Sequence, residues 1–228
     1  MPAESRGTRE RILDAAEHLF AEHGFDGVSM RAIAAEARAQ LALIHYHFGS
    51  KEDLYRAVWD RRYDQTAELW RERAGGIDFD RPTEAVLRDV VANALCTVSA
   101  MKEPEGCSFA QIVAREAADP KEGARGVLSV HMDPQAKAVL STLRRALPRL
   151  SDVELAWGYQ FMQGVFLNHV CDVGRISRIS DGAARSRDVD SALPHMIDFI
   201  VGGFMALDAR HDGAASGSSQ RSVVLERA

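Results

Sequence analysis

The segment that decides the fold lies near the N-terminus, where residues 28–48 read VSMRAIAAEARAQLALIHYHF. Its pattern predicts a first short helix, capped by Ser29 and ending at about Glu36, and a second over residues 40–46. Two helices of two turns, joined by about three residues, have the dimensions of a helix-turn-helix.

Helices this short are not stable alone, so both need a partner. The segment Thr8–His23 supplies one, because its apolar residues follow the i, i+3, i+4, i+7, i+8 stripe of an amphipathic helix. Ile33, Ile44 and Phe48 are predicted to fill the core between the three helices. A three-helix unit of this design places one helix in the major groove of DNA.

The rest of the chain also has helical periodicity, and no stretch alternates with a period of two. A long helix is predicted from the N-cap Ser50 to about Arg73. Further helices are predicted at about Thr83–Met101, Ser108–Ala118, Pro134–Leu147, Asp152–Val173 and Asp190–Leu207. The fold class is therefore all-α.

Composition excludes several classes of protein. The 228 residues are 46% hydrophobic and 27% charged, which is ordinary for a globular protein and unlike a collagen or a disordered chain. Three cysteines without a C-x-x-C pair argue against a disulfide framework or a zinc site. No secretory signal is visible, and the apolar stretch 196–207 is too short to span a bilayer. A soluble cytoplasmic protein without metal or cofactor is expected.

The net charge of −5 argues at first against nucleic-acid binding. Residues 1–51 hold six basic and seven acidic side chains, but residues 37–51 hold two basic residues, two histidines and no acid. The local balance around the second short helix is therefore positive. Affinity for DNA is expected to rest on few phosphate contacts and on helix N-termini, with a small dependence on salt.

The N-terminal motifs resemble those of the TetR family of bacterial transcriptional regulators over roughly residues 8–60. The matching segments are TRERILDAA at 8–16, LF at 19–20, HGF at 23–25, Ser29, IA at 33–34 and IHYHFGSKEDL at 44–54. The resemblance implies an all-helical homodimer that binds an operator and a small-molecule effector. It implies a helix-turn-helix DNA-binding domain at 1–50 and an effector-binding and dimerisation domain at 51–208. The Gly/Ser-rich composition of the last residues predicts a flexible tail at 209–228.

The resemblance also implies which residues bind DNA. They are Ser29, Arg31, Gln40, Leu41, Ala42, Leu43, His45, Tyr46, His47 and Lys51. Arg31 is suited to guanine O6 and N7, and Gln40 to adenine, while the apolar residues after Gln40 suit thymine methyl groups. The histidines, Tyr46 and Lys51 are predicted phosphate contacts. Purely structural roles stay open for three of these residues. Arg31 would then be a solvated surface side chain, Tyr46 a core residue, and His47 the donor or acceptor of a structural hydrogen bond.

Two positions depart from the family's pattern. Arg38 stands where glycine is usual in the turn, although a positive φ disfavours side chains there. Gln40 stands where a serine or threonine usually caps the recognition helix. Both departures affect how Gln40 is aimed.

The C-terminal part is more weakly similar, over about residues 105–207, to TetR regulators that respond to fatty acids. This similarity implies an acyl or other lipophilic effector. Apolar walls with a few polar anchors would form its pocket. The predicted pocket residues are Trp59, Tyr63, Met101, Phe109, Arg115, Phe161, Met162, Gln163, Phe166 and His169. For each of them a place in the bundle core is the competing interpretation.

Dimerisation is predicted to use the helices at about 152–173 and 190–207. Gly202, Gly203 and Ala206 allow close approach of backbones. The predicted apolar contacts are Ile197, Ile200, Val201 and Phe204. Two helices from each subunit would form a four-helix interface, which fixes the spacing of the DNA half-sites.

Two other functions compete with that of a ligand-responsive repressor. A helical enzyme would need a metal or nucleophile constellation, but His18/His23 and His45/His47 lack the i, i+4 spacing with a carboxylate partner. A DNA-binding regulator without a small-molecule effector remains the alternative to a ligand-responsive repressor.

Overall fold

The computed structural model describes the backbone of residues 7–95, 104–186 and 188–221, and side chains within 7–63, 71–95, 108–186 and 188–211. These residues form helices and no strand, which confirms the all-α prediction. The helices are α1 (Thr8–His23), α2 (Met30–Glu36), α3 (Leu41–Phe48), α4 (Lys51–Gly75), α5 (Thr83–Ala94), α6 (Pro104–Ala117), α7 (Glu122–Arg125), α8 (Val127–His131), α9 (Asp133–Ala146), α10 (Asp152–Cys171), α11 (Arg175–Ile179) and α12 (Val189–Arg221).

Packing divides the chain into two compact units. Unit 1 is drawn from residues 1–71 and 97–135, and unit 2 from residues 72–96 and 136–228. This division does not test the functional boundary after residue 50, which stays a prediction. Helix α12 continues to Arg221, through the Gly/Ser-rich stretch where the sequence predicts a flexible tail.

Unit 1 is built around α1, which packs against α2, α3 and α6. Ile33 and Ile44 are fully buried and Phe48 nearly so, as the sequence predicts. Burying a side chain of this size stabilises the fold by roughly 1.5–3 kcal/mol. The two short helices are therefore held by tertiary packing.

A cluster of charges inside unit 1 joins α1 to α4. Glu17 is only 3% exposed. Its carboxylate accepts hydrogen bonds from Arg61 Nη2 at 2.6 Å and from Arg62 Nη2 at 2.6 Å. Arg61 Nη1 also donates to Asp14 Oδ1 at 2.7 Å. The buried carboxylate is thus compensated by two guanidinium groups, as burial of a charge requires.

The turn between α2 and α3 has the form of a Schellman motif. The N–H of Ala39 donates to Ala34 O at 3.0 Å, and the N–H of Arg38 donates to Ala35 O at 3.2 Å. Arg38 occupies the left-handed position with φ of 49°. Because this conformation crowds Cβ, an arginine there costs on the order of 1 kcal/mol relative to glycine.

Unit 2 is built around α12, which packs against α5 and α10. Gly158 lets α10 approach α12 closely, since a Cβ at this position would lie 2.4 Å from Phe204 Cε1. Two ion pairs support the packing: Arg88 Nη1 lies 2.6 Å from Asp198 Oδ1, and Arg149 pairs with Asp208.

The stretch Val189–His211 of α12 is the one described helix that is long and apolar enough to cross a membrane, with a mean hydropathy of 1.3. The core helix of a soluble bundle passes the same test. The ion-paired Asp198 and Asp208 lie within this stretch, and charges of this kind are costly in a bilayer. We therefore interpret α12 as a helix of the bundle.

Candidate DNA-binding surface and effector region

The N-terminus of α2 positions the first predicted DNA contacts. Ser29 Oγ accepts the N–H of Ala32 at 3.1 Å, so this residue caps the helix as predicted. Arg31 follows in the first turn and is exposed. Among the residues that the structure describes, no ion pair or hydrogen bond engages its guanidinium. Arg31 is therefore available to an external partner.

Helix α3 has an inner and an outer face. Ile44 and Phe48 point into the core of unit 1. The outer face carries exposed side chains, namely Ala42, Leu43, His45, Tyr46 and His47, while Leu41 is half-buried. Tyr46 is 83% exposed, so the interpretation of Tyr46 as a core residue is wrong.

Gln40 is the N-cap residue of α3, but its side chain makes no capping hydrogen bond. The residue is exposed. The structure thus leaves the amide group of Gln40 unused within the described part of the chain. A free amide at the start of a recognition helix is what pairing with an adenine edge requires.

Two predicted phosphate contacts also have structural partners. His45 Nδ1 donates to Gly49 O at 2.8 Å at the end of α3. Lys51 Nζ donates to Val28 O at 2.7 Å and lies 4.4 Å from the centre of the Phe25 ring. The structural hydrogen bond that the sequence allowed for His47 thus belongs to His45. Phosphate contacts by these residues stay predictions.

The start of α4 is fixed beside this surface. Ser50 Oγ donates to Asp53 Oδ2 at 2.5 Å and accepts the N–H of Asp53 at 3.0 Å. The hydrogen bond from Ser50 lowers the pKa of the Asp53 carboxyl below its ordinary value. Ser50 is therefore the predicted N-cap, and the local acid stays ionised at neutral pH.

In unit 1, three of the predicted pocket residues share one aromatic cluster. The Trp59 ring lies 5.2 Å from the Phe109 ring, and the Tyr63 ring lies 5.5 Å from that of His131. His131 also lies 5.7 Å from Trp59, and its Nε2 donates to Asp60 Oδ1 at 2.8 Å. Sequence reasoning missed His131, which lies in a short helix without a periodic pattern. Met101 lies outside the described residues.

Trp59 is the most unusual member of this cluster. It is fully buried, yet among the described residues its indole Nε1 makes no hydrogen bond of ordinary geometry. A buried N–H of this kind is costly, so it is a group that a ligand oxygen could satisfy. This orphaned donor keeps the prediction of Trp59 as a pocket residue open.

Arg115 has a different environment from the one predicted. Its Nε donates to Ala21 O at 2.8 Å and its Nη2 to Glu22 O at 2.9 Å. The guanidinium therefore caps the C-terminal carbonyl groups of α1, where a cation is favoured by the helix dipole. Nothing in this geometry aims Arg115 at a ligand.

The other predicted pocket residues lie on α10 in unit 2. Met162 and Phe166 are buried, whereas Phe161 is exposed. Gln163 donates to Tyr159 Oη at 2.7 Å. His169 is half-buried, and its buried Nε2 has no hydrogen-bond partner among the described residues. Burial lowers the pKa of the His169 imidazole.

The predicted dimerisation residues are mostly covered by their own subunit. Ile200, Val201 and Phe204 are buried, and Ile197 is half-buried. Sequence reasoning did not assign three exposed aromatic residues of these helices to dimerisation: Phe199 is 75% exposed, Phe161, which was predicted to line the effector pocket, 65%, and Trp157 58%. Phe161 and Phe199 line an apolar hollow of about 310 Å³ between α10 and α12, together with Ile200 and Phe204. We call the set Trp157, Phe161 and Phe199 the exposed apolar face.

No group of three or more His, Cys, Asp or Glu side chains within the described residues is arranged to hold a metal ion.

Family models match both parts of the chain. The model described as "Bacterial regulatory proteins, tetR family" matches residues 12–58. The model described as "Tetracyclin repressor-like, C-terminal domain" matches residues 89–203, which is half of the chain.

Curated relatives match part of the chain. The HTH-type transcriptional regulator UidR of Escherichia coli K12 is 37% identical over 79 residues, which are 35% of this chain and 40% of UidR. The HTH-type transcriptional repressor NicS of Pseudomonas putida is 35% identical over 85 residues, 37% of this chain and 39% of NicS. The chain thus matches about two fifths of the length of these relatives.

Solved structures share the fold over most of the chain. The regulator FadR from Bacillus subtilis in complex with stearoyl-CoA has a TM-score of 0.60 at 16% identity, covering 85% of this chain and 98% of that one. A regulator from Saccharomonospora viridis in complex with choline has a TM-score of 0.56 at 22% identity, covering 84% and 94%. At these identities the likeness concerns the fold alone.

Proposed function

Since the chain belongs to the TetR family of bacterial regulatory proteins, we propose that it is a cytoplasmic, non-enzymatic transcriptional repressor. It binds a palindromic operator as a homodimer and is released by a small lipophilic effector. The observation that carries the DNA-binding part is the exposed face of α3, which is flanked by the unengaged side chains of Arg31 and Gln40. The curated relatives UidR and NicS are named as a transcriptional regulator and a transcriptional repressor.

Sequence reading is assigned to Arg31, Gln40 and the apolar start of α3. Arg31 provides a fork of donors for guanine, and Leu43 an apolar surface for a thymine methyl group. Tyr46 and His47 are exposed beyond them and contact phosphates. Because cations are few here, the salt dependence of binding is smaller than that of a strongly basic domain.

Arg31→Ala tests this assignment. It is expected to weaken specific binding by about 1–3 kcal/mol and to relax the preference at one base position, because a bidentate base contact is lost. The probe is a duplex that the wild-type protein selects from a random-sequence library, and its single-base variants, with binding measured by fluorescence anisotropy. Arg185→Ala, at an exposed residue of unit 2, is the matched control.

Two results would contradict the assignment. A uniform loss over all duplexes would make Arg31 a phosphate contact. Failure of the wild-type protein to enrich any palindromic duplex would contradict the proposed function itself.

The homodimer is supported by the exposed apolar face. Three large aromatic side chains on α10 and α12 are solvent-exposed in the single chain. Exposed apolar patches with aromatic anchors are typical of protein interfaces. Two copies of α10 and α12 would bury this face and form the proposed four-helix interface. In this arrangement the exposed apolar face packs on the side chains of Ile197, Ile200, Val201 and Phe204.

The effector part rests on the aromatic cluster of unit 1. Trp59, Tyr63 and Phe109 supply apolar surface, and among the described residues the indole N–H of Trp59 makes no hydrogen bond of ordinary geometry. The B. subtilis relative in fold was solved with stearoyl-CoA, which favours an acyl compound. The S. viridis relative was solved with choline, which shows that the fold accommodates a quite different ligand.

Release is assigned to α4, which begins at Lys51 beside the DNA-binding surface and carries Trp59 and Tyr63 further along. A ligand that favours another orientation of this helix changes the spacing of the two recognition helices. It lowers DNA affinity only by the ratio of its affinities for the two orientations.

A ligand titration against the protein bound to its selected duplex tests this mechanism. Stearoyl-CoA is expected to bind and to lower DNA affinity about 5- to 150-fold, the usual range of allosteric coupling. Choline serves as the comparison ligand. Tight binding of stearoyl-CoA without a change in DNA affinity would disprove the release mechanism. Absence of binding, with no ligand found by native mass spectrometry of the purified protein, would favour the alternative of a regulator without an effector.

A further inference from the structure

Arg38 has an unfavourable backbone conformation for a residue with a side chain, and its guanidinium has no partner among the described residues. It holds the left-handed turn position between α2 and α3, with φ of 49°, and its side chain is exposed. Within the part of the chain that the structure describes, no hydrogen bond or ion pair engages its guanidinium. Glycine would satisfy the backbone of the turn at lower cost. The arginine side chain therefore calls for another explanation.

The neighbouring acids do not supply that explanation. Arg38 borders a cleft that is also lined by Arg11, Asp14, His18 and Glu36. Asp14 Oδ1 is held by Arg61 at 2.7 Å, and Glu36 Oε1 lies 3.5 Å from His18 Nδ1. Asp14 is thus engaged by Arg61, whereas Glu36 lies beside a histidine that is charged only when protonated. Among the described residues, neither carboxylate forms an ion pair with Arg38. Residues 37–51 contain no acid at all, so the local field favours an external anion.

We infer that Arg38 binds a backbone phosphate of the operator. Residues 37–40 lead directly into α3, so Arg38 lies two residues before the free amide of Gln40. A phosphate contact at this point fixes the depth and register of α3 in the groove, which a strongly basic domain would achieve with many contacts. Backbone strain held at a binding site is a recognised way of placing a functional side chain. The inference rests on the proposed DNA-binding function.

Arg38→Asn is the decisive variant, because asparagine tolerates the left-handed conformation and removes the charge. Binding to the selected duplex is measured by anisotropy between 50 and 300 mM NaCl. The slope of log K against log salt is expected to fall by about 1.8, since each dimer loses two phosphate contacts at about 0.9 each. Affinity near 150 mM salt should fall on the order of tenfold, equally for all single-base variants of the duplex.

Three further variants separate a phosphate contact from other roles. Arg38→Lys keeps the charge and should keep the salt slope. Arg185→Asn removes an equal charge from an exposed loop of unit 2 and should leave the slope unchanged. Arg38→Gly relieves the turn, so its melting temperature should rise while its affinity for DNA falls.

A purely structural role of Arg38 cannot produce a higher melting temperature together with a lower affinity for DNA in Arg38→Gly. If Arg38 only shaped the turn, Arg38→Gly would bind DNA as well as the wild type or better, and the inference would be overturned. An unchanged salt slope in Arg38→Asn would overturn it as well. In either case the wild-type protein still binds its selected duplex, so the proposed function would stand. If the wild-type protein selects no duplex, the proposed function fails, and the inference fails with it.

Discussion

Replacing Glu17 by glutamine is expected to destabilise unit 1 by about 3–5 kcal/mol, the usual effect of removing one partner from a buried ion pair. Glu17 is almost fully buried and accepts hydrogen bonds from both Arg61 and Arg62. The amide has the same size but no charge, and its NH₂ group cannot accept from a guanidinium. Arg61 keeps Asp14, while Arg62 loses the carboxylate that it contacts through both Nε and Nη2.

Urea unfolding followed by circular dichroism measures this effect. The midpoint should fall while the slope m stays near the wild-type value, because the surface exposed on unfolding is unchanged. Glu22→Gln is the matched control: Glu22 lies on the same helix but is exposed and faces only His18 and His23. Its effect should remain within about 0.5 kcal/mol. A loss below 1 kcal/mol for Glu17→Gln would contradict the view that the cluster is buried and tightly paired.

Helices α1 to α3 were predictable because the sequence patterns that mark them are local. Apolar spacing marks α1, and the N-cap Ser29 marks the start of α2. The observed α1 spans the predicted Thr8–His23. Ile33 and Ile44 are buried, as the apolar spacing of α2 and α3 predicts. The Glu17 cluster could not be read in the same way. Arg61 and Arg62 are 44 and 45 residues from Glu17 in the sequence, and no helical periodicity relates residues at such separations.

Partners of polar residues were the hardest features to predict. Sequence supplies Lys51, His45 and Arg115 as plausible contacts for DNA or ligand, but only the folded chain shows the carbonyl groups that they bind. The short helices α7, α8 and α11 have four or five residues each, too few to display a period. His131 in α8 was missed for this reason.

The exposed side of α12 was also hidden from the sequence. This helix is apolar on more than one face, so residues at 197–204 look equivalent in a periodic pattern. The structure separates them: Phe204 is buried against Gly158, whereas Phe199 is exposed. On α10 and α12, the aromatic side chains of the exposed apolar face have area still to bury.

Phe199→Glu is therefore expected to convert the protein to a monomer and to weaken operator binding at least 100-fold. A charge at the centre of an apolar interface cannot be desolvated cheaply, and aromatic anchors each contribute about 2 kcal/mol or more to such interfaces. Without the dimer, each recognition helix binds its half-site alone, and the gain of about 10²–10⁴ from bivalent binding is lost. Sedimentation equilibrium and anisotropy with the selected duplex measure the two effects.

Val130→Glu is the control, because Val130 is an exposed apolar residue of a helix in unit 1, whereas Phe199 belongs to unit 2. It should remain dimeric and bind DNA as the wild type does. Phe199 makes little contact within its own subunit, so the secondary structure of Phe199→Glu should be retained by circular dichroism. A dimeric Phe199→Glu would place the interface elsewhere. A monomeric variant with full operator affinity would instead refute the link between half-site spacing and the dimer, since only a protein that reads one half-site at a time is indifferent to its partner.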